Sequence, residues 1–429
     1  MCLARLGAMS ERRIVIVGGG AAGFFAAITC AEACPGTGVM VLEKGPCFLA
    51  KVRISGGGRC NVTHACFDPH ELATRYPRGE RALRGAFHSF QPLDTIAWFE
   101  GRGVRLKTQA DGCLFPTSDS SQTIIDCLLN AARNAGVVRR AHCPVEGAAR
   151  RPDGGFVLRL SGGETLGCDR LLLAVGGCRV PALGQLAVAL GHTLEPPVPS
   201  LFAFNVEAPW VRDLAGVVIE TVEASVAGHG LCERGTMLFT HWGLSGPVIL
   251  RLSAWGARVL HGLDYRFTLH VNWLPSLSFE TIVAQLRARR QTQPARRVVN
   301  SPIPPLPGRL WEALALTAGV SRETRWAELS RAALHRLAQR LIRSEVAVSG
   351  KSLNRDEFVT CGGVRLSEVD FETMESRHAP GLHFAGEMLD IDGITGGFNL
   401  QAAWTTGWLA GRAMARPRPA REPGASSRF

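Results

Sequence analysis

The sequence predicts an α/β protein whose central parallel sheet is assembled from two distant stretches of chain, with a large insert between them. Three observations carry this prediction. A β-branched run, a glycine cluster and an apolar helix follow one another at 14–33; a short second strand ends in an acid at 39–43; and another strand, glycine-rich turn and helix lie at 381–411.

Ile14-Val15-Ile16-Val17 has the uninterrupted apolar form of a parallel strand buried on both faces. Gly18-Gly19-Gly20-Ala21-Ala22-Gly23 follows, and Phe24 to Ala33 reads as a helix. Val39-Met40-Val41-Leu42 then ends in Glu43, 20 residues beyond Gly23, with Lys44 next to it. Strand, GxGxxG, helix, strand and acid in this order form a dinucleotide-binding fingerprint. Gly18 permits the tight turn, Gly20 lets the backbone approach a pyrophosphate, and Gly23 allows close helix–strand packing. The helix N-terminus, just after Ala21 and Ala22, offers unpaired N–H groups to the anion. Glu43 is expected to accept hydrogen bonds from the adenosine ribose.

A second glycine-rich loop comes close behind. It holds Lys51, Ser55, Gly56, Gly57, Gly58, Arg59, Cys60 and Asn61. Successive N–H groups in such a loop can form an anion nest, and small residues let a flat ring lie against the main chain. A nicotinamide dehydrogenase has no need of this second wrap, whereas a long flavin dinucleotide does. FAD is therefore the expected cofactor.

At the far end Leu382-His383-Phe384-Ala385 reads as a strand leading to Gly386-Glu387. Asp390, Asp392, Gly393, Gly396, Gly397 and Asn399 precede a helix from about Leu400 to Met414. That helix start would direct its partial positive charge at the pyrimidine edge of a flavin. Glu387 suits a ribityl or ribose hydroxyl. Asp390 and Asp392 read equally well as solvated turn acids.

In the middle, Phe156–Leu160 and Thr165–Cys168 read as a hairpin returning to a core strand at Leu171–Val175, which runs into Gly176 and Gly177. Pro196, Pro197 and Pro199 mark a crossing into a second domain. Short glycine-separated strands from Leu201 to Trp273 suit a barrel or sandwich. Helical spacing follows at 279–290 and 310–342, with Pro302, Pro304, Pro305 and Pro307 as a stiff linker. The turn Thr240 to Pro247 is the middle segment expected to face the flavin. His241 in it is either a proton donor or a structural turn histidine. Cys60 beside Arg59 is a candidate low-pKa thiol, or else lines the cofactor.

Composition sets the class. With 429 residues, 46% apolar and 20% charged, the chain is neither disordered nor a disulfide-stapled miniprotein. Its 13 cysteines show no CxxC pair and no zinc-ligand spacing, so reduced thiols, a cytoplasmic location and no metal are expected. Four glycines in the first ten positions of the uncharged stretch from Ile14 argue against a spanning helix. Net charge is +11, but the arginines are scattered rather than blocked, so a nucleic-acid partner is not the first expectation.

The segments IVIVGGGAAG, VLEK, ISGGGRCNVT, FTHWGLSGPVIL, VTCGGV and FAGEMLDIDGITGGFNLQAAW together resemble the BaiN/YhiN-like FAD-binding oxidoreductases, which are distantly similar to fumarate reductase flavoproteins. The resemblance runs from residue 14 to about 411. It implies a discontinuous Rossmann-like FAD domain (1–195 and 346–415), an inserted β-barrel-like and helical substrate or cap region (196–345) and a flexible tail (416–429). It places FAD among Gly18, Gly20, Gly23, Glu43, Lys44, Arg59, Cys60, Asn61, Gly386, Glu387, Gly397, Asn399 and Leu400. With no histidine between Glu43 and His64, the FAD is expected to be non-covalent. Val175 stands where such flavoproteins carry a threonine, and the 178–192 segment is shorter than usual. The expected activity is hydride transfer to or from a small-molecule substrate, with NAD(P)H a possible reductant. The alternatives are an FAD-dependent RNA-modifying or RNA-binding protein, and a flavin protein without turnover.

Overall fold

The computed structural model describes residues 12–178, 180–352 and 359–417. Of the expected tail at 416–429, all but 416 and 417 lies outside the described residues. The chain divides into two compact units, one made of the segment up to Pro197 and that from Gly362 onward, the other of Val198–Cys361.

The first unit is built on a seven-stranded sheet. Its strand order is Val369–Asp370, Glu375–Ser376, Leu382–Phe384, Arg170–Leu173, Arg13–Val17, Gly38–Leu42 and Val138–Arg140. Arg13–Val17 pairs in parallel with Arg170–Leu173 on one side and Gly38–Leu42 on the other. Leu382–Phe384 is parallel to Arg170–Leu173, with Leu171 opposite Leu382, so the end of the chain completes a sheet begun at its start. Ile14 to Val17 and Leu171 to Leu173 are buried, as continuous apolar strands must be when both faces of a parallel sheet are covered. The expected hairpin forms: Phe156–Leu160 pairs antiparallel with Thr165–Cys168, and Val145–Arg150 adds a third strand.

Helix Ala21–Ala33 lies buried against the last helix, Phe398–Ala415. The approach is close because the last helix presents glycine. A Cβ at Gly407 would stand 2.6 Å from the carbonyl oxygen of Ala22, and one at Gly411 2.5 Å from that of Ala26. Small residues at helical spacing thus fix how near the two glycine-rich turns come to each other.

Strand Leu382–Phe384 buries His383, whose Nδ1 lies 3.1 Å from the carbonyl of Thr373. Burial lowers its pKa from 6.5 to about 4. As pH falls, the unfolded chain takes up this proton near 6.5 and the folded chain only near 4, so folding stability is lost across that window. Thermal melts between these pH values should show a falling midpoint, and His383→Gln should flatten the dependence.

The second unit is a closed six-stranded barrel in the order Phe204–Val206, Gly243–Ser245, Cys232–Thr240, Val218–Val226, Phe267–Asn272 and Ser344–Lys351. Helices Phe279–Thr292, Gly308–Thr317 and Arg331–Ile342 pack beside it around Trp273, Trp311 and Trp326. Two expectations need correction. Ser344–Lys351 pairs with Phe267–Asn272 and Phe204–Val206, so residues 346–351 close the barrel and the return to the first unit comes at 362 rather than 346. The stretch from Leu201 to Trp273 is not all strand either. Pro247–Trp255 and Ala257–Gly262 are helices, and Val248, Ile249 and Leu252 supply the buried face of the first. No described helix is long and apolar enough to cross a membrane, and every described cysteine is a free thiol.

Candidate functional site

The first glycine turn separates two kinds of glycine. At Gly18, with φ +114°, a Cβ would lie 2.2 Å from the carbonyl oxygen of Ala174; at Gly23 one would lie 2.0 Å from that of Gly18. Both must be glycine for the protein to close. Gly20 is different, because its backbone is ordinary and a Cβ there would meet nothing within 4 Å. The helix that starts at Ala21 and Ala22 has no side-chain cap and no acid in its first turn. Open space therefore faces an uncapped row of N–H groups, the requirement for a pyrophosphate. Glu43 stands beside it, with Oε2 accepting from Gly19 N–H and Oε1 from Gly45 N–H, each at 2.8 Å. Two of its four acceptor positions stay free for ribose hydroxyls. Lys44 is exposed. These residues fit the adenosine half of a dinucleotide.

The second loop is more structured than its glycines suggest. Lys51 sits on the short helix Ala50–Ile54, and the turn Ser55–Gly58 follows with Gly56, Gly57 and Gly58 all at positive φ. Gly57 and Gly58 face open space, whereas a Cβ at Gly56 would strike Asn61 N at 2.7 Å. The Ser55 hydroxyl donates to Val52 O, and Arg59 lies over the Phe115 ring at 4.1 Å. Asn61, with its amide turned to satisfy its neighbours, donates to Thr63 O and Leu114 O and accepts from Gly397 N–H. A Cβ at Gly397 would lie 2.7 Å from Thr63 O, so this loop rests on the start of the last helix.

Cys60 is corrected by the structure. It is fully buried, and burial pushes its thiol up to about 12, which removes the low-pKa alternative beside Arg59. Native protein at pH 8 should therefore alkylate at exposed Cys47 and Cys232 while Cys60 stays protected, as peptide mass mapping would read.

Two distant segments converge on Glu387. Its Oε2 lies 2.5 Å from Lys51 Nζ, and a Cβ at Gly176, with φ +78°, would stand 4.0 Å from the same oxygen. Val175, Gly176 and Gly177 are half-buried at the end of strand Arg170–Leu173. Gly386, with φ +68°, donates its N–H to Thr406 Oγ1, and a Cβ on it would lie 2.9 Å from that of Ala22. The turns at 51, 176 and 387 thus meet near the start of helix Ala21–Ala33.

The last turn departs from expectation at two residues. Asp392 is neither a solvated turn acid nor a free cofactor ligand: it is wholly buried, and both carboxylate oxygens receive the Arg78 guanidinium. Asn399 accepts from Gly393 N–H at 2.9 Å and donates to Gly393 O at 2.8 Å, so its amide closes the turn rather than facing a ligand. Gly393 is buried against Tyr76, and a Cβ at Gly396 would strike the Phe398 ring. Gly397, with φ +91°, opens helix Phe398–Ala415 without a side-chain cap or a first-turn acid. Leu400 lies half-buried in its first turn. This second uncapped helix start fits the electron-rich edge of a flavin.

Several residues here escaped sequence reasoning. Arg78 lies 314 residues from its partner Asp392. Gln401 is buried, accepting from Thr63 at 2.6 Å and Thr95 at 2.9 Å and donating to Thr405 at 3.0 Å. His64 stacks on Phe398 at 4.7 Å, its Nε2 is 3.0 Å from Asp111 O, and its buried Nδ1 has no protein partner. Polar residues inside apolar motifs were the only signal, and nothing local says which distant group they meet.

His241 belongs to the second unit, exposed on the turn after strand Cys232–Thr240. Among the described residues one group of metal-ligand types gathers away from the glycine turns: His192, Glu368 and His378. Hydrogen bonding accounts for it. Ser376 Oγ accepts from the N–H groups of His378 and Ala379, so its own proton goes to His192 Nε2, 2.7 Å away. His192 Nδ1 then carries a proton and donates to Glu368 at 3.0 Å, which occupies the lone pair a metal would need.

The family model described as the HI0933-like protein Rossmann domain matches residues 12–413. The chain is 32% identical to the ribosomal RNA dihydrouridine synthase of Escherichia coli over 403 residues, 92% of this chain and 96% of that one. It is 30% identical to the 3-dehydro-bile acid delta(4,6)-reductase of Clostridium scindens, covering 94% and 99%. Among solved structures, a 3-ketosteroid delta1-dehydrogenase from Sterolibacterium denitrificans aligns with a TM-score of 0.51 at 12% identity, covering 94% of this chain and 100% of that one. That likeness is one of fold.

Proposed function

This chain belongs to the HI0933-like Rossmann family and is a flavin-dependent oxidoreductase, and on that premise we propose that it adds two hydrogens across a carbon–carbon double bond conjugated to a carbonyl. FAD is held non-covalently and NAD(P)H is the reductant. One observation carries the reading: the two curated relatives, similar over almost their whole lengths, bear names that denote this one chemistry on different molecules. Dihydrouridine differs from uridine by two hydrogens across the ring double bond next to the C4 carbonyl, and a 3-dehydro delta(4,6) system is a dienone. In either case NAD(P)H gives a hydride, solvent supplies the balancing proton, and NAD(P)⁺ leaves.

Bound FAD supplies the two-electron carrier between reductant and substrate. The chain's own contribution is binding and electrostatics. Ala21, Ala22 and Gly23 offer N–H groups to the pyrophosphate, and Glu43 orients the ribose. Gly57 and Gly58 leave open space in the second loop, and Gly176 lies beside the Lys51–Glu387 pair. The uncapped start of helix Phe398–Ala415 favours negative charge at the pyrimidine edge.

For the substrate, the uracil ring of ribosomal RNA is favoured by the Escherichia coli relative. A free small-molecule enone is the second reading, favoured by the bile acid reductase. Anaerobic titration with NADH and NADPH should bleach the visible flavin band. Unmodified ribosomal RNA, or a 3-keto-Δ4 steroid, is then added. Reoxidation by RNA with dihydrouridine appearing supports the first substrate, and reoxidation by the steroid alone supports the second. Protein that neither carries nor takes up FAD would overturn both.

A further inference from the structure

We propose that the second unit carries a binding site for RNA backbone phosphates, in the cleft between the C-terminal end of helix Gly308–Thr317, helix Arg331–Ile342 and the first residues of strand Ser344–Lys351. This inference rests on the ribosomal RNA reading above and adds a place where the strand is held.

The cleft has a volume of about 260 Å³, and Arg336, Arg340 and Arg343 line it. Arg336 and Arg340 are spaced i and i+4, which aligns them on one face of the helix, and Arg343 is the residue at which the helix ends. The opposite face, with Leu334, Leu337, Ala338 and Leu341, is buried in the core and fixes which way the arginines point. Arg336 is held in place by donating from Nε to Ala318 O at 3.1 Å, which leaves its terminal N–H groups for a ligand. Arg340 is half-buried, and Arg343 and Gln339 are exposed at the rim.

Some of the surface arginines are balanced by neighbouring acids, and the arginines of this cleft belong to those that are not. Arg75, Arg84, Arg102, Arg140, Arg251 and Arg365 each have a carboxylate within ion-pair distance. Among the described residues none lies that close to Arg336, Arg340 or Arg343. The one acid in the lining, Glu345, is largely exposed and reaches His270 Nε2 at 3.8 Å. Like charges one helical turn apart repel, as Arg336 and Arg340 do, and a bound polyanion relieves that repulsion. Guanidinium forks match phosphate oxygens in geometry as well as charge. Two arginines one turn apart and a third at the helix end suit neighbouring phosphates of a strand better than one isolated ion.

The test uses the full-length, flavin-loaded protein and a fluorescein-labelled single-stranded RNA, with anisotropy read between about 50 and 200 mM salt. Arg340→Gln/Arg343→Gln should weaken binding about tenfold at the low end and reduce the slope of log affinity against log salt by about 0.7 for each phosphate no longer neutralised. Flavin content and NADPH bleaching should stay unchanged. Gln339→Glu, which puts a negative charge at the rim and leaves the arginines in place, should weaken binding in the same direction. Wild-type binding that both variants match in affinity and salt slope overturns this site while leaving the RNA reading intact. No RNA binding by the wild type at low salt overturns that reading and this inference with it. Inorganic phosphate binding that Arg340→Gln/Arg343→Gln abolishes, with RNA affinity and salt slope unchanged in the same variant, assigns the cleft to free phosphate and overturns the RNA assignment.

Discussion

Gly20→Val is expected to give a folded protein that purifies without flavin. The residue has φ −89° and ψ −168°, extended backbone that valine adopts readily, and no atom of the protein lies within 4 Å of the position its Cβ would take. Neither backbone strain nor a Cβ clash opposes the substitution. The space it fills is the space through which a pyrophosphate reaches the uncapped N–H groups of helix Ala21–Ala33. Flavin per protein, read from visible absorbance, should fall about tenfold or more, a loss of at least ~1.4 kcal/mol in binding, while circular dichroism and the melting temperature of the cofactor-free protein hold. Gly23→Val is the contrast, since its Cβ would stand 2.0 Å from the Gly18 carbonyl oxygen and the sheet cannot close around it. If both variants unfold, or if Gly20→Val keeps its flavin, the pyrophosphate is not where this turn puts it.

Asp392→Ala should be among the most destabilising single substitutions in the first unit, at about 3–5 kcal/mol. Asp392 is fully buried, and the Arg78 side chain opposite it is only 15% exposed. Deleting the carboxylate strands a guanidinium in a poorly solvated place, which costs more than the pair itself contributes. The strain falls on the turn that carries Gly393, Gly396 and Gly397, so flavin retention should drop together with the urea midpoint. Arg78→Leu in the Asp392→Ala background should then recover part of the lost stability, because no buried charge is left. A double variant as unstable as the sum of the two singles would show that the cost lies elsewhere, for instance in the paired backbone of the same two residues.

Much of the first unit was legible because its signals are local. A four-residue apolar strand, glycines at fixed offsets and an acid after the next strand each reflect a constraint acting within a few residues, and the structure assembles them as read. The turn at 386–397 was legible for the same reason. Individual side chains were less so. Asp392 and Asn399 looked like ligands because polar residues in a glycine-rich turn usually face outward, yet one meets Arg78 and the other folds back on Gly393. Cys60 looked reactive beside Arg59, but the neighbour in sequence turns its guanidinium to Phe115 while the thiol goes into the core. The barrel boundary slipped because Ser344–Lys351 pairs with strands that precede it by more than 70 residues, a choice no local pattern encodes.

The sequence by itself determined the class of the protein: where strands and helices begin, which turns need glycine, and that strands far apart in the chain belong to one sheet. These follow from backbone sterics and hydrophobic period, which act over a few residues. The tertiary structure decided which partner each polar side chain meets: Lys51 with Glu387, Arg78 with Asp392, Gln401 with Thr63 and Thr95, and three arginines with no acid beside them among the described residues. A salt bridge or buried hydrogen bond depends on positions in space, and chain separations above 300 residues carry no trace of it until the sheet has closed.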